Sequence, residues 1–106
     1  MPGDEMKPSL SDIRVLELGQ VLAGPYAGMI LGDLGADVIK IEPPLGGDSA
    51  RGTPPHFYEG ESVYFMALNR NKKSVSIDLA SAEGLQVFYD LVKTSDVVLD
   101  NLRYGV

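Results

Sequence analysis

The stretch from Val15 to Glu42, VLELGQVLAGPYAGMILGDLGADVIKIE, decides the predicted fold of this chain. A short apolar run ends at Gly19, as a buried strand does, and Gly24-Pro25 then opens a helix, because proline is tolerated in the first helical turn. Gly35 stands where a left-handed residue would end that helix. A second apolar run stops at Pro43. The stretch therefore predicts a β-α-β unit with parallel strands and a right-handed crossover.

Strands and helices alternate along the remaining sequence. The predicted strands are Val15–Leu18, Val38–Ile41, Ser74–Leu79 and Val97–Leu99. The predicted helices are Gly24–Leu34, Val63–Asn69 and one that Ser81 caps and that ends near Thr94, with Leu85, Phe88, Tyr89 and Val92 on its packed face. This order is typical of an α/β fold with a Rossmann-like parallel sheet and flanking helices.

The predicted domain organisation is simple. Residues 1–12 are expected to form a flexible lead-in, and residues 13–106 one Rossmann-like segment. No helix follows the last predicted strand, so one edge and one face of the sheet would stay uncovered. We therefore expect this segment to be the incomplete front part of a larger domain.

Composition excludes several classes of function. The 106 residues carry a formal net charge of −6, which argues against nucleic acid or an anionic membrane as the main partner. There is no cysteine, which excludes disulfides, thiolate catalysis and cysteine metal sites. No apolar run reaches the roughly 18 residues of a membrane span, and the N-terminus has no signal-peptide core. The sequence thus predicts a cytoplasmic protein.

The turn from Gly19 to Gly24 partly resembles two nucleotide-binding motifs but matches neither. Val21 occupies the position of the second glycine in the dinucleotide fingerprint, which disfavours NAD. Pro25-Tyr26 replace the lysine and hydroxyl residue of a P-loop, so nothing would hold a terminal phosphate pair and ATP hydrolysis is rejected. The remaining interpretation is that the two glycines permit a tight turn.

The polar residues of the long Pro43–Gly60 connection and its end give no catalytic pattern. His56, the only histidine, has no serine or carboxylate at a telling spacing and is predicted to be exposed. Asp48, Glu59 and Glu61 are scattered acids without metal-ligand spacing. Ser62 is better explained as a helix cap than as a nucleophile. No metal site and no triad is predicted.

Two polar groups remain as candidate ligand contacts. The run Asn69-Arg70-Asn71-Lys72-Lys73 is the only dense basic cluster, and it is either an anion clamp or an ordinary solvated loop. Asn101 and Arg103 follow the last strand, at the carboxyl ends where open α/β sheets bind ligands, although asparagine is also common in turns.

Five ordered blocks together resemble the family III CoA-transferases, the CaiB/BaiF family. The blocks are Val21–Glu42, Gly47–Gly52, Tyr64-Phe65, Asn69–Val75 and Asp96–Arg103. The resemblance implies an enzyme that moves CoA from an acyl-CoA thioester to a small free carboxylic acid through an aspartyl intermediate. It also implies an interlocked homodimer. The nucleophilic aspartate of the family lies beyond Val106, so no catalytic residue is assigned in this chain.

The resemblance also implies the parts of a coenzyme A site. The turn Gln20, Val21, Leu22 and Ala23 would approach the pantetheine arm and the thioester, and Asn101 and Arg103 would border the same site. Arg70, Asn71, Lys72 and Lys73 would lie near the nucleotide end. Pro43 stands where some members have an arginine that meets CoA, so Lys72 or Lys73 would carry more of the phosphate contact.

Two alternatives stay open at this point. An acyl-CoA racemase of the same superfamily shares these blocks, with its acid/base pair further downstream. A non-catalytic fragment that binds CoA or a nucleotide would share them as well. The basic cluster itself is testable: if it clamps an anion, replacing Lys72 and Lys73 together by alanine weakens CoA binding.

Overall fold

A four-stranded parallel sheet lies at the centre of the computed structural model, which describes residues 6–102. In chain order the elements are β1 (Arg14–Glu17), α1 (Ala23–Asp33), β2 (Asp37–Glu42), a 3₁₀ turn (Ser49–Gly52), β3 (Phe57–Tyr58), β4 (Glu61–Ser62), α2 (Val63–Leu68), β5 (Lys72–Ser76), α3 (Ala82–Val92) and β6 (Val97–Leu99). The strand order in the sheet is β5-β2-β1-β6. The predicted α/β class is confirmed.

Helix α1 begins and ends as its sequence predicts. Pro25 lies in the first turn. Gly35 has φ +104°, and its N–H donates to the carbonyl of Gly32 at 3.0 Å. Glycine carries no Cβ penalty in this left-handed conformation, so the chain can reverse into β2 within two residues.

The predicted third strand is wrong in its position. The strand is β5, and its first residue Lys72 pairs with Val38 of β2. Of the alternating residues, Val75 and Ile77 pack in the apolar core whereas Leu79 is exposed, and the ladder with β2 ends at Ser76. Strand pairing depends on the neighbour across the sheet, which the local pattern does not contain. Lys72 and Lys73 consequently belong to the strand rather than to a loop.

The two faces of the sheet carry different side chains. On the α3 face, Leu16, Ile39, Ile41 and Ile77 form a buried apolar cluster. On the α1 face, Val15, Val38 and Ala36 form a smaller apolar cluster. Beyond it, towards the carboxyl ends of the strands, the α1 face buries charged residues.

Helix α3 is confirmed, but its packed face was only partly foreseen. Ser81 accepts the N–H of Gly84 at 2.9 Å and caps the helix. Phe88 and Leu91 pack against the apolar cluster, whereas Tyr89 is half exposed. The sheet beneath α3 is narrow and covers one side of the helix, so the remaining apolar positions, Leu85 and Val92 among them, stay partly open to solvent.

The Pro43–Gly60 connection has local structure of its own. It contains the 3₁₀ turn Ser49–Gly52 and strand β3, which pairs with β4 in a small antiparallel hairpin. The Arg51 guanidinium lies 4.0 Å from the ring centre of Phe65, which ties the connection to α2. Ser62 accepts the N–H of Phe65 at 3.4 Å and caps α2, as predicted.

Ordered contacts begin before the predicted start of the segment. The N–H of Leu10 donates to the carbonyl of Leu34 at 3.0 Å, and the Leu10 side chain packs against the Val15 cluster. For the residues that precede Leu10, the flexible lead-in remains a prediction. Within residues 6–102, no helix has both the length and the apolar character needed to cross a membrane.

Candidate functional site

The turn between β1 and α1 lies at the carboxyl edge of the sheet. Gly19 and Gly24, at its two ends, approach each other so closely that a Cβ on Gly19 would lie 2.9 Å from Cα of Gly24. The same Cβ would lie 2.8 Å from Oδ1 of Asn101. The two glycines are therefore required by close backbone approach, since neither has a positive φ.

Asn101 clamps this turn from the end of β6. Its Oδ1 accepts the N–H of Gln20 at 2.9 Å, and its Nδ2 donates to the Gln20 carbonyl at 3.0 Å. Two candidate residues that are 81 positions apart are thus in direct contact. This agrees with the rule that parallel strands end together at the ligand-binding edge.

Val21 adopts an unusual backbone conformation at the tip of the turn. Its φ is +68°, which is disfavoured for a β-branched residue. The Val21 N–H points to the Asp48 carboxylate, at 3.1 Å from Oδ1 and 3.3 Å from Oδ2. The side chains of Val21 and Leu22 are exposed. The turn therefore presents apolar side chains at this edge of the sheet, whereas the N–H groups of Gln20, Val21 and Leu22 are bonded within the chain.

A groove of about 280 Å³ opens beside the turn. Its walls come from the ends of β1 and β2, from the segment after β5 and from the residue after Asn101. The lining residues are Leu18, Gln20, Ile41, Glu42, Pro43, Pro44, Ile77, Asp78, Leu79, Ala80 and Leu102. A mostly apolar groove with a few polar groups at a strand edge is a typical small-molecule site.

A buried cluster of charges lies under α1, directly behind the turn. Lys40 Nζ lies 2.8 Å from Glu17 Oε2 and 2.8 Å from Asp48 Oδ2, and it donates to the Gly19 carbonyl at 3.1 Å. Lys72 Nζ lies 2.7 Å from Glu17 Oε1. Gly28 of α1 leaves room for Glu17, because a Cβ there would overlap its Oε1.

Lys72 belongs to this buried cluster. Its side chain is only 2% exposed, and its ammonium also donates to the Pro25 carbonyl at 2.9 Å and to Asn69 Oδ1 at 2.8 Å. Burial lowers the pKa of Lys72, and the neighbouring Glu17 carboxylate offsets this only in part. The contact with Glu17 Oε1 is an ion pair without hydrogen-bond geometry, and among the described residues that oxygen has no hydrogen-bond donor.

A second ion pair fixes the start of the Pro43–Gly60 connection. Arg51 donates two hydrogen bonds to the Glu42 carboxylate, at 2.7 and 2.8 Å, and Ser74 and the Asp48 N–H donate to the same group. The Arg51 hydrogen bonds lower the pKa of Glu42 from 4.5 to about 2, against the opposing effect of burial. Glu42 therefore stays ionised at the groove.

Lys72 lies in the buried cluster behind the turn, but the structure does not bring the other three candidate residues of the basic stretch to the turn. Residues 70–73 lie at the start of β5, whereas the turn follows the end of β1. Arg70 pairs with Asp33 at 2.7 Å, and Lys73 pairs with Asp37 at 3.0 Å. Asn71 donates to Asp33 as well, at 2.7 Å. Arg70 and Lys73 already form ion pairs with carboxylates of the chain, so the anion clamp stays a prediction.

These contacts lower the pKa of both carboxylates, Asp33 and Asp37. The Arg70 hydrogen bond lowers the pKa of Asp33, and Asn71 adds to this effect. The Lys73 hydrogen bond lowers the pKa of Asp37, with a smaller contribution from Arg14. Both pairs are exposed to solvent, so we assign them little stabilisation.

Sequence reasoning missed Asp48 and Lys40. Asp48 was interpreted as a scattered loop acid, yet it is 1% exposed and accepts the Ala50 N–H at 2.9 Å as the cap of the 3₁₀ turn. An aspartate before a Ser-Ala-Arg turn is a local capping signal that could have been found. Its ion pair with Lys40 depends on the tertiary structure and has no sequence signal.

The remaining candidates are simpler. Arg103 lies outside the described residues. His56 is exposed, as expected. Within the part of the chain that the structure describes, no three His, Asp or Glu side chains are grouped as metal ligands would be.

The fold defines a Rossmann-like segment of the α/β class with a groove at the carboxyl edge of its sheet. The model of CoA-transferase family III matches residues 10–106. This chain therefore belongs to CoA-transferase family III, and the resemblance deduced from the sequence blocks is confirmed.

Characterised relatives of similar sequence include CoA-transferases from distant organisms. The succinate–glutarate CoA-transferase of Agrobacterium fabrum is 50% identical over 92% of this chain and 26% of its own length. The succinyl-CoA:glutarate CoA-transferase of Mus musculus is 47% identical over 96% of this chain and 23% of its own. The succinyl-CoA–L-malate CoA-transferase alpha subunit of Chloroflexus aurantiacus is 48% identical over 97% and 24%.

Solved structures agree with the fold. The D175A mutant of Rv3272 from Mycobacterium tuberculosis has a TM-score of 0.87 and 42% identity, over 96% of this chain and 27% of that one. A CAIB/BAIF family protein from Brucella suis has a TM-score of 0.86 and 41% identity, over 94% and 27%. The chain thus spans about a quarter of the length of the relatives it matches, which agrees with an incomplete domain.

Proposed function

We propose that this chain is the amino-terminal part of an enzyme that transfers CoA from succinyl-CoA to a small dicarboxylic acid. One observation carries the proposal. The relatives at 43–50% identity bear names that pair succinyl-CoA or succinate with glutarate, citramalate, mesaconate or malate. These acceptors are all short dicarboxylic acids, although the carbon skeletons differ.

The geometry suits one half of such a site. In the proposed arrangement the thioester end of the CoA thioester lies against the turn Gln20, Val21, Leu22 and Ala23. The groove beside the turn takes another part of the same molecule. Exposed apolar side chains at the turn fit the pantetheine arm, and the backbone groups that Asn101 fixes stand at the edge where ligands of parallel sheets collect.

The nucleophile of the family mechanism is not assigned to any residue of this chain. We propose that it lies in the remainder of the enzyme, together with the acceptor site. An interlocked homodimer and a cytoplasmic location remain predictions. So does phosphate binding by Arg70, Asn71 and Lys73, whereas for Lys72 the buried ion pair favours a structural role.

The proposal is tested with the full-length protein, succinyl-CoA and glutarate. We expect succinate and glutaryl-CoA in equal amounts, measured by liquid chromatography and mass spectrometry, because CoA leaves one acyl group and joins the other. The same assay with citramalate, mesaconate and malate ranks the acceptors. Consumption of succinyl-CoA with release of free CoA alone, for all four acids, would contradict the proposal.

Two further measurements separate this function from its rivals. A chiral 2-methylacyl-CoA incubated without acceptor acid keeps its configuration if the enzyme is a transferase and loses it if the enzyme is a racemase. Asn101→Ala removes two hydrogen bonds to the turn, so kcat/KM for succinyl-CoA should fall by about tenfold. The matched control is Gln86→Ala, whose side chain contacts only Asp90 on the exposed face of α3.

A further inference from the structure

The Pro43–Gly60 connection reaches back to the turn through a single buried carboxylate. We propose that Asp48 is a positioning residue: paired with Lys40, it holds the Val21 N–H and thereby keeps Val21, at the tip of the turn, in its left-handed conformation for the CoA thioester. This inference rests on the proposed function of the turn. It assigns a role to a residue that contacts no substrate itself.

The conformation of Val21 requires an external restraint. At φ +68° the Cβ of an L-residue crowds the following carbonyl, and branching at Cβ makes this worse. Such a conformation persists only where the surroundings over-determine it, and it is found preferentially at ligand sites. The side chain of Val21 is itself exposed, so core packing does not supply the restraint.

Asp48 supplies that restraint with three contacts. Its carboxylate accepts the Val21 N–H and the Ala50 N–H, and Oδ2 lies 2.8 Å from Lys40 Nζ. A carboxylate has enough lone pairs to accept all three donors at once. Because Asp48 is almost completely buried, its charge is tolerated only with a cation beside it, and Lys40 is that cation.

The other anchors of the turn act on different residues. Lys40 donates to the Gly19 carbonyl, and Asn101 binds both backbone groups of Gln20. Asp48 is the anchor that reaches Val21, where the strain lies. Without it, Val21 can relax to a negative φ, which would redirect the N–H groups and side chains that follow, at Leu22 and Ala23. A thioester would then have to restore the strained conformation when it binds.

A double-mutant cycle in the full-length protein tests this role. The variants are Asp48→Ala, Val21→Gly and both together, and the measurement is kcat/KM for succinyl-CoA. We expect Asp48→Ala alone to lower kcat/KM by about thirtyfold. In the Val21→Gly background the same change should cost less than about fivefold, because glycine adopts a positive φ without penalty.

Two companion variants keep the test interpretable. Asp48→Asn keeps an acceptor oxygen for the Val21 N–H, so it should recover part of the loss. Asp48→Leu, which has no acceptor, replaces Asp48→Ala if that variant does not fold. Ser74→Ala removes a hydrogen bond to Glu42 on the same face of the sheet without touching the turn. It should lower Tm slightly and leave kcat/KM within about twofold of the wild type.

The possible results divide cleanly. Equal losses from Asp48→Ala in both backgrounds, or no loss in either, would overturn the positioning role. If the wild type shows no CoA transfer, the proposed function fails, and the inference is then judged by the crystal structure of Asp48→Ala or, if that variant does not fold, of Asp48→Leu, neither of which offers an acceptor to the Val21 N–H. A Val21 φ that stays near +68° without the carboxylate would overturn it, and a negative φ would support it.

Discussion

The two faces of the sheet bury their residues by different chemistry. The α3 face is an apolar cluster of Leu16, Ile39, Ile41 and Ile77, covered by a helix none of whose residues is completely buried. The α1 face instead buries ion pairs around Glu17 and its lysine partners, beneath a helix with glycine at the contact. One face relies on hydrophobic burial, and the other combines a smaller apolar cluster with paired charges.

The difference shows what buried charges do in this fold. Apolar burial is non-directional and stabilises the sheet without fixing any one loop. An ammonium group has defined donors, so Lys40 can connect Glu17, Asp48 and the Gly19 carbonyl at fixed distances. The charged face therefore also determines the shape of the turn at the ligand edge. The predictions below separate these two contributions.

The largest effect is expected where the charged face loses its central cation. Lys40→Met leaves Asp48 buried without a cation and removes the bond to the Gly19 carbonyl, so the free energy of unfolding should fall by about 4 kcal/mol. Leu16→Ala on the apolar face should cost about 3 kcal/mol through the cavity it leaves. Urea denaturation of the full-length protein measures both.

The same pair distinguishes stability from function. Under conditions in which both variants are folded, kcat/KM for succinyl-CoA should fall at least tenfold in Lys40→Met and stay within about twofold of wild type in Leu16→Ala. An equal loss of kcat/KM in both variants would mean that the two faces do not differ in their effect on the turn.

The next effect concerns the close contact between α1 and the buried charges. In Gly28→Ala the new Cβ would overlap the Glu17 carboxylate, which is held by Lys40 and Lys72. Thermal and urea unfolding should show a net loss of about 3 kcal/mol, although alanine is the better helix former. Gly52→Ala is the control, because nothing lies within 4 Å of its Cβ position and its effect should be under about 0.5 kcal/mol. Equal stability of the two variants would show that α1 is not packed against Glu17.

The smallest of the three effects is a dependence of stability on acid. The pKa of Glu42 is lowered to about 2 in the folded protein, so its contribution is complete above about pH 4.5 and is lost as the pH falls towards 2. The gap in unfolding free energy between wild type and Glu42→Gln should therefore narrow by about 2 kcal/mol over that range. This figure is below the full value of the shift because Arg51 is one-third exposed and partly screened. A gap that does not change with pH would contradict the assignment.

Much of the fold could be predicted because its signals are local. Gly35 ends α1, Ser62 and Ser81 cap α2 and α3, and the alternation of strands and helices implies a parallel sheet. Each of these caps depends only on residues within one turn of the helix that it begins or ends. The start of β5 could not be predicted, since it depends on pairing with Val38, which is 34 positions away from Lys72.

The candidate site was predicted in part. The turn and Asn101 were placed at one edge by the rule for parallel strands, and they are in contact. The density of cations in the basic stretch left an anion clamp and a solvated loop open, and the family resemblance implied a place near the nucleotide end of CoA. In the structure Arg70 and Lys73 serve carboxylates of α1 and β2, and Lys72 lies under α1. Charge density along a chain does not reveal which acids stand nearby in space.

The sequence alone determined the class of fold, the family, and the order of the helices and main-sheet strands, because these depend on periodicity, on caps and on ordered blocks of residues; it did not predict the hairpin of β3 and β4. Only the tertiary structure decided which charges are buried and which backbone groups they hold. The local sequence marks Asp48 only as the cap of the 3₁₀ turn Ser49–Gly52. Asp48 becomes an anchor of the turn because folding places it between Lys40 and the strained N–H of Val21.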